Sequence, residues 1–199
     1  MNLFVTGTDT DVGKTVVSAW ICSKLNTSYL KLIQTGEDSD SSTVRRFAPK
    51  CEILNEIYKL STPLSAYNAA QIEGVHIDTN KFFLDIDKTV IEGAGGVFVP
   101  IAEKFLMIDA IKRTNSAALV VVRSRLGMIN HTLLTVHALK TRQIDVIGIV
   151  VVGNVDEEIK TTIERFSVTK VLAVLPETND LVKLLADTPL PHEILEVLT

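Results

Sequence analysis

Two cysteines in 199 residues cannot build a disulfide framework or a cysteine-rich metal site. Cys22 falls in a helical stretch and Cys51 in a loop, without pairing or ligand spacing, and a reducing cytoplasm suits both as filler. Basic charge is equally sparse. The net charge is −4 and no basic cluster exceeds Arg45-Arg46, so the electrostatic footprint of a nucleic-acid or anionic-membrane binder is missing. The longest apolar runs, Ala117 to Val122 and Val146 to Val152, fall far short of a bilayer span. No basic segment followed by an apolar one opens the chain, so no signal peptide is expected and the cytoplasm is the expected compartment. Nor does any repeat, linker or low-complexity stretch divide the sequence, which predicts a single domain over residues 1–199.

What the chain does contain is alternation. Apolar, β-branched runs at Leu3 to Thr6, Tyr29 to Ile33, Thr89 to Glu92, Ala117 to Arg123, Val146 to Val152 and Val171 to Leu175 read as strands. The last three are almost continuously apolar, as expected of parallel strands covered on both faces. Between them, Lys14 to Leu25, Asp40 to Phe47, Ile108 to Thr114, Asn130 to Arg142, Glu157 to Phe166 and Asp180 to Ala186 read as helices. The pattern predicts an α/β fold, a doubly wound, mostly parallel sheet flanked by helices. Residues 50–87 are more polar and carry Pro63, Asn68 and Asn80. They are expected to form an insertion with short helical stretches at best, beside the active-site edge.

Residues Gly7 to Thr15 read GTDTDVGKT, between the first strand and the first helix. Glycines there let backbone N–H groups approach phosphate oxygens, while Lys14 supplies charge and Thr15 a hydroxyl ligand for Mg²⁺. The motif is a phosphate-binding loop with five residues rather than four between its glycines, which makes the fold one of the phosphate-loop NTPase type.

Other candidate groups gather around it. Lys31 lies inside an apolar strand, where a buried cation needs an anion. Glu92 closes the apolar run 89–91 ahead of Gly93-Ala94-Gly95-Gly96, the usual place of a Mg²⁺-side carboxylate and a phosphate-wrapping loop. In the acidic stretch Glu37-Asp38-Ser39-Asp40, a carboxylate is either a helix start or a third oxygen ligand with Thr15 and Glu92. Leu126-Gly127-Met128-Ile129-Asn130 opens a helix whose N-terminus suits a carboxylate. His76, His131, His137 and His192 receive no catalytic role.

Taken together, GTDTDVGKT at 7–15, KLIQTG at 31–36, Ser39-Asp40, EGAGG at 92–96 and LGMINHTLLT at 126–135 closely resemble the dethiobiotin synthetase family. The resemblance implies a Mg²⁺- and ATP-dependent ligase of biotin biosynthesis. Such an enzyme joins CO₂ to 7,8-diaminopelargonic acid as a carbamate, phosphorylates the carbamate, and closes the ureido ring with release of phosphate. On that resemblance Lys14, Lys31 and Thr10 are the catalytic residues. Asp11, Val12, Gly13, Lys14, Thr15, Val16, Asp40, Glu92, Gly93, Ala94, Gly95, Asn154 and Pro176 hold the nucleotide. Thr10, Lys31, Thr35, Leu126, Gly127 and Asn130 hold the substrate, and Thr15, Asp40 and Glu92 bind Mg²⁺, with Asp38 the competing carboxylate. A homodimer with active sites at its interface is implied.

The chain departs from the family at the base-recognising end. The family's Asn-Asp pair is replaced by Val152-Gly153-Asn154-Val155, which leaves base selectivity open. Thr62 to Tyr67 matches the family's substrate-covering loop only loosely. A different class, a dimeric phosphate-loop switch ATPase acting on protein partners, shares the expected fold. It commonly carries an additional lysine inside the loop, and residues 7–13 contain none.

Overall fold

The computed structural model describes residues 1–37 and 39–199, so Asp38 as the competing metal ligand lies outside the described residues. The chain enters through β1 (Leu3–Gly7), fully buried, and passes through the phosphate loop into α1 (Lys14–Lys24). β2 (Ser28–Lys31), β3 (Ile33–Thr35) and α2 (Asp40–Phe47) follow. Then come β4 (Glu52–Ile53), β5 (Tyr58–Leu60), α3 (Ala66–Glu73) and a 3-10 turn at Thr79–Phe82. β6 (Thr89–Gly96) leads to the hairpin of β7 (Pro100–Ala102) and β8 (Phe105–Leu106), and this runs into α4 (Met107–Arg113). The remainder alternates: β9 (Ala117–Arg123), α5 (Met128–Thr141), β10 (Val146–Val152), α6 (Glu157–Ser167) and β11 (Val171–Leu175). Two short helices, α7 (Leu181–Asp187) and α8 (His192–Leu198), close the chain.

Seven strands form one sheet in the order β11-β10-β9-β1-β6-β2-β4, every pair parallel. Successive side chains alternate between its faces, and each face has its own core. Phe4, Ile91, Val120 and Ile149 pack with α3 to α6 on one side. Leu3, Val5, Val90, Leu119 and Val121 pack on the other against Val17, Trp20 and Ile21 of α1 and against Leu185 and Ile194. This is the doubly wound layer that the alternation predicts, and it sets β1 at the centre with its carboxyl end open to a ligand.

Three expectations need correction. The run 29–33 is not one strand: β2 pairs with β6 through Lys31, and from Ile33 the chain pairs instead with β5. Leu32 is the pivot, donating its N–H to the Glu92 carbonyl at 2.9 Å and accepting from Ile57 at 3.2 Å. Hydropathy stays apolar through this exchange of partners and carries no sign of it. Residues 50–87 hold more than helical turns, since β4 extends the main sheet and β5 pairs with β3. Finally, the EGAGG segment stays in the sheet to Gly96, bulging where the register slips between Val5 and Gly7.

Candidate active site

The phosphate loop owes its shape to two glycines. Gly13, at φ 99° before the first turn of α1, adopts a backbone conformation that side-chain-bearing residues avoid. A Cβ on Gly7 would lie 2.7 Å from Val12 Cγ2, so the strand can turn this tightly only without one. Val12 itself is buried in the core, anchoring the loop rather than facing its mouth. Lys14 folds back and donates to the Asp9 carbonyl at 2.9 Å. Burial, with Lys31 nearby acting in the same direction, lowers its ammonium pKa to about 8. A phosphate arriving beside it would supply the missing counter-charge.

Beneath the loop lies a charged cluster. The Thr15 hydroxyl is 2.7 Å from Asp40 Oδ1 and 2.9 Å from Glu92 Oε1, and its single proton serves one carboxylate at a time. Lys31 Nζ lies 2.5 Å from Asp40 Oδ2 and 3.0 Å from Glu92 Oε1, and donates to the Gly93 carbonyl at 3.0 Å. Burial works against the Lys31 charge, yet Glu92 and Asp40 outweigh it and hold its pKa above the ordinary lysine value. Asp40 is held below the ordinary carboxylate range: burial opposes its charge, and the Lys31 ammonium prevails. β2 sits between β6 and β4, so Lys31 is an interior lysine and not a snorkelling edge residue.

Two further residues hold Glu92, which is 0% exposed. The Ser18 hydroxyl donates to Glu92 Oε2 at 2.7 Å and the Tyr29 phenol to the same oxygen at 3.0 Å. Burial, then the Glu92 charge, raises the Tyr29 phenol well above its ordinary value and keeps it a donor. Sequence reasoning missed both, though each carries a signal. Ser18 is three residues after Thr15 on the same helical face, and Tyr29 is two before Lys31 on the same strand face.

Above the cluster opens a cavity of about 800 Å³. It gathers Thr10, Asp11, Gly13, Lys14, Thr15 and Val16 of the loop and first turn, and from the other expected residues Lys31, Thr35, Asp40, Glu92, Ala94 and Gly95. Gly93 contributes its carbonyl to Lys31 from below. Pro63 to Ala66 line the opposite wall, so the loosely matching stretch faces this space after all. Gln34 also lines it and accepts the Asp40 N–H at 3.2 Å, orienting the start of α2.

Five expected residues lie elsewhere. Leu126, Gly127 and Asn130 sit at the exposed start of α5, with Leu126 wholly open to solvent at 103%. That segment is tied to the phosphate loop through Arg125, 2.6 Å from Asp9 Oδ2. Asn154 is exposed and lines neither this cavity nor the second one; its backbone carbonyl accepts from Ser124. Pro176 lines that second cavity, of about 630 Å³, which adjoins the first at Val16.

The donor set suits a hard divalent cation: one hydroxyl and two carboxylates converge, and a cationic ammonium already lies between the carboxylates. Among the described residues no cluster of three or more His, Cys, Asp or Glu side chains is arranged to hold a metal. A cation here would therefore complete its shell with phosphate oxygens and water. No helix among the described residues is long and apolar enough to cross a membrane.

The family model described as an AAA domain matches residues 1–184. The chain is 44% identical to the ATP-dependent dethiobiotin synthetase BioD of Paramagnetospirillum magneticum over 175 residues, 86% of this chain and 85% of that one. With the protein of the same name from Lawsonia intracellularis it shares 39% over 198 residues, covering 98% and 97% of the two chains. Among solved structures, the MinD cell division protein of Aquifex aeolicus superposes with a TM-score of 0.54 at 16% identity, covering 92% of this chain and 85% of that one. A ParA family ATPase from Chlorobium tepidum superposes with a TM-score of 0.54 at 10% identity, covering 98% and 96%. At such identities the likeness speaks for the fold alone.

Proposed function

The chain belongs to the ATP-dependent dethiobiotin synthetase family, and from that premise we propose how its residues divide the work. The activity is ATP-dependent dethiobiotin synthesis, a ligase step of biotin biosynthesis. A switch ATPase acting on protein partners shares the fold but is not favoured by these relatives.

The observation that carries the assignment of roles is the pairing of Lys14 and Lys31 over one cavity, with Thr15, Asp40 and Glu92 at its base. In the proposed reaction the N7 amine of 7,8-diaminopelargonate adds to CO₂ and loses a proton, giving a carbamate. A carbamate oxygen attacks the γ-phosphorus of ATP, and the bond to the β-phosphate oxygen breaks to release ADP. The N8 amine then attacks the carbonyl carbon of the mixed anhydride. Phosphate leaves, a proton is lost, and the ring closes.

Lys14 neutralises charge growing on the transferring phosphoryl group, and Lys31, freed from its carboxylates, approaches the carbamate side. Thr10 and Thr35 position the diamine and carbamate, and Asp11, Gly13, Val16, Ala94 and Gly95 enclose the phosphates. Thr15, Asp40 and Glu92 would hold Mg²⁺, which when bound neutralises phosphate charge. Ring closure demands positioning more than acid–base chemistry.

Leu126, two residues before α5, and Leu134, within it, are both exposed. A homodimer joined there would bring Gly127 and Asn130 to the neighbouring subunit's substrate carboxylate, and Leu126→Asp should then yield monomers in sedimentation. A single domain and a cytoplasmic location complete the reading. The deciding experiment follows phosphate release from Mg-ATP and bicarbonate with and without the diamine. Release should require the diamine and match dethiobiotin formed, whereas hydrolysis indifferent to it would overturn the proposal.

A further inference from the structure

The two oxygens of the Glu92 carboxylate are treated differently by the fold. Register between β2 and β6 sets Lys31 opposite Glu92, and Tyr29 opposite Val90 one pleat earlier on the same face of the sheet. Lys31 and Thr15 line the cavity and reach Oε1, at 3.0 Å and 2.9 Å. Oε2 is met by another pair, the Ser18 hydroxyl at 2.7 Å and the Tyr29 phenol at 3.0 Å. Both of these donors are fully buried and line neither cavity, so neither touches what the cavity holds.

A carboxylate oxygen has about two lone-pair positions. Both on Oε2 are filled, from α1 and from β2, inside the core that Tyr29 shares with Val17 and Trp20. Rotating the carboxylate would break both hydrogen bonds and leave a buried charge short of donors. Glu92 therefore presents one oxygen to the cavity, beside the single hydroxyl of Thr15. Divalent cations differ in what they make of such a site. Mg²⁺ accepts one oxygen from each group and completes a tight octahedron with water, whereas Ca²⁺ takes roughly six to eight oxygens and often grips a carboxylate by both.

We infer that Ser18 and Tyr29 are positioning residues that set the choice of cation: by holding Oε2 they confine Glu92 to a one-oxygen contact and favour Mg²⁺ over Ca²⁺. The inference rests on the cation lying at Thr15, Asp40 and Glu92, as proposed above. Removing either donor loosens Oε2 and admits the two-oxygen grip that the larger ion prefers. A change in packing or in the charge balance of Glu92 would alter both affinities alike. Only the number of oxygens offered alters their ratio.

The test titrates the whole protein calorimetrically with MgCl₂ alone and with CaCl₂ alone. Wild-type protein should bind Mg²⁺ more tightly. Tyr29→Phe keeps the buried ring and removes only its hydroxyl, and Ser18→Ala removes the other donor. In each variant the ratio of the Ca²⁺ Kd to the Mg²⁺ Kd should fall about tenfold, and further in the double variant, since outer partners of metal ligands command factors of about that size. Equal changes for the two cations, or an unchanged ratio, would leave Ser18 and Tyr29 a structural role only and overturn the inference. So would wild-type protein that binds neither cation or prefers Ca²⁺. Glu92→Gln should weaken both cations sharply, and binding that survives it unchanged would place the cation elsewhere and overturn the inference as well. The titrations use neither nucleotide nor diamine. A chain that shows the shifted ratio but forms no dethiobiotin would therefore refute the proposed reaction and leave this inference standing.

Discussion

Lys31→Met tests the charged cluster most directly. Methionine keeps the length and most of the apolar packing of lysine and removes only the ammonium. That ammonium lies 2.5 Å from Asp40 and 3.0 Å from Glu92, and Glu92 has no exposure to water. Removing one partner of a buried ion pair costs about 3–5 kcal/mol, because the other charge remains uncompensated. Ser18 and Tyr29 still donate to Glu92, and Asp40 is half-open, so the lower end, about 3 kcal/mol, is expected. For a chain of this size that lowers Tm by about 6–12 °C. The measurement is urea and thermal unfolding of both proteins without ligand, repeated with Mg²⁺ alone. Divalent cation should stabilise the variant more than the wild type, since only the variant offers its carboxylates unopposed. A loss below about 1 kcal/mol, or an equal response to Mg²⁺, would refute the reasoning, because pairs worth so little are those of exposed surfaces.

Ser18→Ala removes a buried charge-assisted hydrogen bond to Glu92 and should cost about 1.5–3 kcal/mol in denaturant unfolding, although Ser18 lines neither cavity. Gly93→Ala places a Cβ 2.8 Å from Phe4 Cε1 and 3.2 Å from Met107 Sδ, both fully buried, so overpacking of about 1–3 kcal/mol is expected, read as a lower midpoint at unchanged slope. Val168 caps the end of α6 at φ 50° and is 80% exposed, and Val168→Gly should stabilise the protein by about 0.5–1 kcal/mol, seen as a higher Tm.

How much of this was legible in the sequence depends on how far apart the partners lie. The phosphate loop could be read because its chemistry is contiguous: glycine, lysine and threonine act from one strand-to-helix turn. Lys31 and Glu92 could be singled out because each is a charge where hydropathy predicts burial. Their contact could not, since it depends on β2 and β6 being neighbours, which local pattern does not encode. β4 pairs through two residues, too few for any periodicity to register. The Arg123–Glu177 contact joins residues 54 apart and exists only because β9, β10 and β11 align their ends. Asn154, expected from family pattern, stands one position late in the sequence and lines neither cavity.

The ammonium of Lys31 makes the centre an ion exchanger. Asp40 and Glu92 share that one ammonium as a counter-ion, so part of their charge is already balanced from within the fold. A divalent cation entering alone must evict that ammonium and leave it without an anion, which discounts the metal's affinity. A nucleotide removes the discount, because its phosphates receive the displaced charge. Metal and nucleotide should therefore each tighten the other's binding by the same factor. Calorimetric titrations of either ligand with and without the other would measure that factor, and independent binding would deny the exchange.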